Sequence, residues 1–231
     1  MQDPRFVKEA FRAIAGRYVV TNHVLSAGID VLWRNKVARL VRESGAREIL
    51  DLATGSGDLA ATLLKRCPGA SVVGADFCLP MLAQARRRGL RDLVVADGMR
   101  LPFGEAAFDA VTVGFGLRNM ESWPDAVAEM ARVIRPGGGL FVLDFSLPES
   151  ALLRRAYRLY LHRIMPAVAG LLTGQRAAYD YLCGSIERFP SGQDMLALLE
   201  TNGFAGAGHH PLSGGIAAIY TARRSSGNVA T

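Results

Sequence analysis

Residues 49–60, ILDLATGSGDLA, confine the chain to a small set of folds. A short apolar run ends in Asp51-Leu52-Ala53. A loop with Gly55 and Gly57 follows, and a helix-compatible segment opens at Asp58. Glycine lets a backbone turn sharply and approach a ligand with no Cβ in the way. The helix behind the loop offers unpaired N–H groups and a partial positive charge at its start. Strand, glycine turn and helix together make a nucleotide pocket. The spacing Gly55-Ser56-Gly57-Asp58-Leu59-Ala60 also satisfies the dinucleotide fingerprint, so the motif alone leaves the nucleotide open.

The chain around this junction alternates between two periods. Strand patterns fall at 48–52, 71–76, 92–96, 108–113 and 140–145, and helix patterns at 58–66, 79–88 and 124–134. Arg135-Pro136-Gly137-Gly138-Gly139 is expected to stop the last of these helices. Such alternation gives a parallel sheet with helices on both faces, which binds ligands at the carboxyl ends of its strands. Helices expected at 3–17 and 30–44 precede the first strand and read as a lid over the pocket. The single domain, 1–231, therefore divides into a lid (1–45), a cofactor-binding core (46–146) and an insertion (147–195). A closing helix and strand pair (196–224) and a frayed tail (225–231) complete it.

The insertion opens on a basic amphipathic pattern over 152–165. Arg154, Arg155, Arg158 and His162 share one arc of a helical wheel, and Leu153, Tyr157, Tyr160, Leu161 and Ile164 share another. Residues 166–192 are apolar and rich in Gly and Tyr, 194–201 read as a helix, and 204–209 with 216–222 as an antiparallel pair. Arg86-Arg87-Arg88 reads as a solvated helix end, and His209-His210 as loop or strand surface.

At 231 residues, half of them hydrophobic, the chain supports one α/β domain with a sizeable core. No apolar run approaches the roughly 20 residues that span a bilayer, and the opening MQDPRFVKEAFRA lacks the apolar core of a signal peptide. Cys67, Cys78 and Cys183 are scattered, which fits neither a disulfide framework nor a zinc site and points to a reducing cytosol. No metal is called for. The net charge of +6 is compatible with nucleic acid, an anionic membrane surface or plain solubility.

Three aspartates at successive strand ends narrow the nucleotide. Asp76 stands about 20 residues past the glycine loop, where a carboxylate takes ribose hydroxyls. Asp97-Gly98 is placed to meet an adenine edge. Asp51 ends the first strand, facing the cofactor. A pyrophosphate would be repelled there, whereas the ammonium and sulfonium of S-adenosylmethionine would be attracted. The competing reading is an aspartate spent on an Asx turn or helix cap.

Longer motifs then resemble one family, the ubiquinone/menaquinone biosynthesis C-methyltransferases. The resemblance runs from Tyr18…Asn22…Leu25-Ser26-x-Gly28-x-Asp30-x-Leu32-Trp33-Arg34 through the glycine loop to Leu101-Pro102-Phe103. It continues in Phe108–Asn119, Arg135-Pro136-Gly137-Gly138 and Tyr179-x-Tyr181-Leu182-x-x-Ser185-Ile186-x-x-Phe189-Pro190, so it covers nearly the whole chain. Val19 and Thr21 depart from the family's usual Asp and Met, and Ser56 replaces a Thr while keeping the hydroxyl.

The resemblance implies a doubly wound, mostly parallel seven-stranded sheet of the Rossmann-like class I methyltransferase type. It also implies a helical lid and a helical insertion before the last antiparallel pair. Methyl transfer from S-adenosylmethionine to a ring carbon of a polyprenylated quinol follows, leaving S-adenosylhomocysteine. The quinol is a naphthoquinol or a benzoquinol, and the naphthoquinol is preferred. Expected methyl-donor contacts are Asp51, Ala53, Gly55, Ser56, Gly57, Asp76, Phe77, Asp97, Gly98 and Gly114.

Arg118, Asn119 and Tyr18 are the expected catalytic residues. Arg118 would stabilise a phenolate-like oxygen or hold a water, since a guanidinium is not itself a base. Asn119 would orient the ring hydroxyl, and Tyr18 would complete a polar wall. A surface ion-pair role is the competing reading for Arg118, and a packing role for Tyr18. A substrate with a polyprenyl tail would give helix 152–165 peripheral contact with the inner face of a membrane, and a homodimer is compatible with the reading.

Other classes fit less well. An oxidoreductase using NAD would need hydride-transfer residues in the second half. There is no Tyr-x-x-x-Lys pair there, and lysine occurs only at positions 8, 36 and 65. An amino-methylating nucleic-acid enzyme would carry Asn/Asp-Pro-Pro-aromatic where this chain has Gly-Phe-Gly-Leu-Arg-Asn. Nucleic acid is therefore not an expected partner. A methyltransferase of another small molecule is the alternative kept.

Overall fold

The computed structural model describes residues 28–164 and 183–226. Helix α1 (Asp30–Glu43) leads into β1 (Glu48–Leu52), α2 (Asp58–Arg66), β2 (Ser71–Asp76), α3 (Leu79–Arg87) and β3 (Leu93–Val95). Strand β4 (Phe108–Gly114), α4 (Trp123–Val133) and β5 (Ile134–Phe145) follow. Then come α5 (Ala151–Leu159), α6 (Gln193–Thr201), β6 (Phe204–Leu212) and β7 (Ala217–Arg224). The seven strands make one sheet in the order β3-β2-β1-β4-β5-β7-β6. Strands β1 to β5 pair in parallel, and β7 runs antiparallel to both β5 and β6.

Each element forms for a local reason. In α1 the residues Trp33, Val37 and Val41 recur at i, i+4 and i+8, and all are buried. Helix α4 starts at Ser122, whose hydroxyl accepts from the Asp125 N–H, with Pro124 in the first turn. Central strand β1 is buried from Ile49 to Leu52, as a strand covered on both faces requires. Gly57 caps α2 in the left-handed region (φ 81°), and a Cβ there would lie 3.0 Å from Leu90.

Two apolar layers sandwich the sheet. One gathers Trp33, Val37, Leu59, Leu63, Leu161 and Ile186, from α1, α2 and the described parts of the insertion. The other gathers Val127, Met130, Met195 and Leu199 from α4 and α6, with Leu140 and Tyr220 from the sheet.

Two segments differ from the sequence expectation. Strand β5 begins at Ile134, so Arg135–Gly139 belongs to the strand and does not merely end a helix. Ile134 pairs with Phe108, and the register then shifts before Ala110 pairs with Gly139. The glycines permit this bulge because a Cβ on Gly138 would sit 2.6 Å from the Asp109 carbonyl. Asp109 ties the same corner down by accepting from the N–H groups of Arg47 (3.0 Å) and Glu48 (2.9 Å) and pairing with Arg135.

The basic helix expected over 152–165 stays α-helical only to Leu159, and Tyr160–Ile164 winds as a wider π turn. The wider turn places Leu161 in the core, where its carbonyl accepts the Cys183 thiol at 2.9 Å. The expected helix 3–17, Tyr18 and residues 165–182 of the insertion lie outside the described residues.

Candidate active site

The strand order reverses direction between β1 and β4, and in open α/β sheets ligands bind at such a switch point. A cleft opens there, over the carboxyl ends of β1, β2 and β4. Of the expected methyl-donor residues, Asp51, Ala53, Gly55, Ser56, Asp76, Phe77 and Gly114 line it, as does Asn119.

Asp51 is the most enclosed charge of the cleft wall, 1 % exposed. Parallel pairing sets it opposite Thr112 of β4. The Thr112 hydroxyl donates to one carboxylate oxygen at 2.7 Å and the Thr54 hydroxyl to the other at 2.6 Å. Burial pushes its pKa up to about 6 although both hydroxyls pull it down.

Two opposite pH trends follow. Affinity for a cationic ligand should fall below about pH 6, approaching tenfold per pH unit as the carboxylate is protonated. Asp51's contribution to the stability of the ligand-free protein should instead rise as pH drops from about 6 towards 3.8, because the folded state holds the proton more tightly. Calorimetric titration and denaturant melts across that range, with Asp51→Asn as the flat control, measure both.

Asp76 shapes the loop. Its two oxygens accept the N–H groups of Gly55 and Cys78, each at 2.8 Å, and burial raises its pKa. The loop is pinned from outside as well. Ser56 donates to Asp58 at 2.6 Å, and Arg88 pairs with Asp58 at 2.7 Å. Arg88 is therefore a brace on the glycine loop rather than only a solvated helix end.

Arg118 lies beneath the cleft. It is 1 % exposed, and its Nη1 donates to Asp144 Oδ1 and to the Phe115 carbonyl, both at 2.7 Å. Its guanidinium carbon stands 5.3 Å from the centroid of the Phe145 ring, within cation–π range. The Phe115 carbonyl also accepts from Asn119 Nδ2 at 3.3 Å. Phe115, held at φ 59°, and Asn119 do line the cleft, so Arg118 braces the wall it does not itself form.

Three expected contacts stand away from the lining. Gly57 sits behind the loop as the cap of α2. Asp97 is exposed and accepts the Met99 N–H at 2.9 Å, and Gly98 packs against Met120. Tyr18 lies outside the described residues.

Sequence reasoning passed over Thr54, Thr112, Gly116, Asp144 and Arg34 as site residues. Asp144 had a signal, as the one carboxylate inside the apolar run Leu140–Phe145. Gly116 had one in its place between Phe115 and Leu117, and the structure supplies the reason. A Cβ there would overlap that of Ala53 across the cleft. Among the described residues, no group of three or more His, Cys, Asp or Glu side chains could hold a metal ion.

A doubly wound sheet of this order, with an acidic cleft at its switch point, is the architecture of the class I methyltransferases. Solved structures bear this out at the level of fold. A possible histamine N-methyltransferase from Thermotoga maritima aligns with a TM-score of 0.66 at 15 % identity, covering 94 % of this chain and 99 % of that one. Human N-acetylserotonin methyltransferase aligns with a TM-score of 0.57 at 18 % identity, covering 81 % and 51 %.

The chain belongs to the ubiE/COQ5 methyltransferase family, whose model matches residues 1–224. It is 45 % identical over 219 residues to the demethylmenaquinone methyltransferase of Thermus thermophilus, covering 93 % of this chain and 99 % of the relative. It is 41 % identical over 219 residues to the protein of the same name from Mycobacterium tuberculosis, covering 95 % and 92 %. The protein is thus an S-adenosylmethionine-dependent methyltransferase. The cleft suits that methyl donor: a buried carboxylate in its wall would face a positively charged ligand, and Gly116, without a side chain, fits against Ala53 at the floor.

Proposed function

We propose that the chain methylates a ring carbon of a polyprenylated quinol, converting demethylmenaquinol to menaquinol. One observation carries the methyl-donor half of this reading, the buried Asp51 carboxylate in the cleft wall. The substrate half is supported by the shared name of relatives that match nearly the whole chain.

When bound, S-adenosylmethionine supplies an electrophilic methyl group on a sulfonium. Asp51, ionised above about pH 6, draws that charge into the cleft. Asp76 keeps lone pairs for ribose hydroxyls beyond the two N–H groups it accepts, since a carboxylate has about four acceptor sites. Asp97 and Gly98 stay proposed for the adenine edge. Asn119 presents its amide to the ring hydroxyl. Arg118 keeps a place in a changed form: its fixed charge lies under the wall and holds the Phe115 carbonyl and, through it, Asn119. Tyr18 is proposed to close the wall from a lid formed by residues 1–45. Most of the rate then comes from alignment of the ring carbon with the methyl group.

The amphipathic face of α5 supports a peripheral membrane contact that would collect a polyprenyl substrate. Leu152 (79 % exposed), Leu153 and Leu159 all face outward beside Arg155. Arg154 and Arg158 have protein partners, in the carbonyls of Pro148 and Glu149 and in Glu187. Among the described residues no helix is long and apolar enough to cross a membrane. Leu152→Asp/Leu159→Asp should lower co-sedimentation with anionic vesicles about tenfold or more. Turnover of a short-tailed quinol should be unchanged.

The decisive experiment is mass spectrometry of the quinones in cells lacking the protein. Accumulated demethylmenaquinone is the expected result. A normal quinone pool refutes the substrate.

A further inference from the structure

Among the described residues the cleft has one cationic wall residue, which the proposed function leaves without a task. Arg34 projects from α1 into the cleft and is 9 % exposed overall. Its Nη2 pairs at 2.5 Å with Asp30, one turn earlier on the same helix and 2 % exposed at its side chain. Its other N–H groups make no hydrogen bond to a described residue. Asp30 thus orients the planar fork and leaves donors directed at the cleft.

The rest of the lining is acidic. Among the described residues Asp51, Asp58 and Asp76 are its other charged side chains, and Asp58 already has Arg88. The backbone offers an anion little at the glycine loop. Gly55 N–H is spent on Asp76, and Gly57 N–H on the Thr54 carbonyl at 2.9 Å. S-Adenosylmethionine carries two positive groups and one negative group, the α-carboxylate of its methionyl tail. Two available carboxylates and one guanidinium match that charge pattern.

Resting on the methyl-donor reading, we infer that Arg34, held by Asp30, is the residue that binds the α-carboxylate of the methyl donor. The assignment also explains why a cation shares the cleft with Asp51, where it otherwise weakens the attraction for a sulfonium. It makes Arg34 a discriminator, favouring ligands with an intact amino-acid tail over nucleosides without one.

Calorimetric titration with two probes tests this. S-Adenosylhomocysteine has the carboxylate, and its decarboxylated analogue keeps the ammonium and lacks only that group. Arg34→Met should weaken S-adenosylhomocysteine binding roughly 10- to 100-fold, the cost of a lost charged hydrogen-bond pair. It should leave the analogue's affinity unchanged. Because the single variant removes the cationic partner of the buried Asp30, Asp30→Asn/Arg34→Met is measured beside it and should show the same selective loss. Equal weakening of both probes, or of neither, overturns the role of Arg34 while the methyl-donor reading stands. Wild-type protein that binds neither probe overturns both.

Discussion

Asp144→Ala is expected to destabilise the fold by about 3–5 kcal/mol, the usual result of removing one partner of a buried ion pair. Arg118 and Asp144 are 2 % and 0 % exposed at their side chains and 2.7 Å apart. Water cannot solvate the guanidinium once the carboxylate is gone. The Arg118 and Phe145 N–H groups, 3.4 and 2.8 Å from the same carboxylate, would lose their acceptor too.

Burial raises the Asp144 pKa although Arg118 opposes it, so desolvation outweighs the attraction between the charges. The pair is thus a poor source of stability and a strong source of position. Denaturant melts should therefore show Arg118→Met/Asp144→Leu recovering most of the loss. Methyl transfer should not recover with it, because the Phe115 carbonyl would still lack its guanidinium donor. Full recovery of turnover in the double variant would reduce Arg118 to packing.

Gly116→Ala should abolish measurable binding of the methyl donor while the sheet remains folded. The added methyl would overlap the Ala53 Cβ, and these two residues meet at the floor of the cleft just past the ends of β4 and β1. The strand ends must part, at a cost of about 1–3 kcal/mol in overpacking, and the cleft changes shape where the ligand lies. Ala53→Gly removes the clashing atom at a position of positive φ (53°) that glycine adopts freely. Titration with S-adenosylhomocysteine should show binding lost in the single variant and largely restored in Ala53→Gly/Gly116→Ala. No rescue would mean that Gly116 matters for a reason other than this contact.

The glycine loop, Asp51 and Asp76 were legible because their function is local. Turn, strand end and helix start lie within a few residues of one another, so spacing reveals them. The antiparallel closure by β7 and β6 was legible from two short runs that follow the last helix. The arrangement around Arg118 was not. Twenty-six residues separate it from Asp144, and only the parallel pairing of β4 with β5 brings their ends side by side. The motif suggested a place for Arg118 at the substrate, with a surface ion pair as the competing reading, whereas the fold puts its charge beneath the cleft wall in a buried pair. Arg88 is similar, since its partner Asp58 lies 30 residues away on another helix. The bulge at Gly137–Gly139 stayed hidden because a Pro-Gly run ends helices and kinks strands with the same residues.

By itself, then, the sequence determined the sheet-and-helix alternation, the glycine cradle and the carboxylates at the strand ends, because each follows from periodicity or from a few adjacent residues. Only tertiary structure decided which charges are buried together, which glycines have no room for a methyl group, and that Arg34 reaches the cleft from a helix outside the nucleotide motif. Those facts depend on strand order and register, which juxtapose residues far apart in the chain and set the dielectric around them.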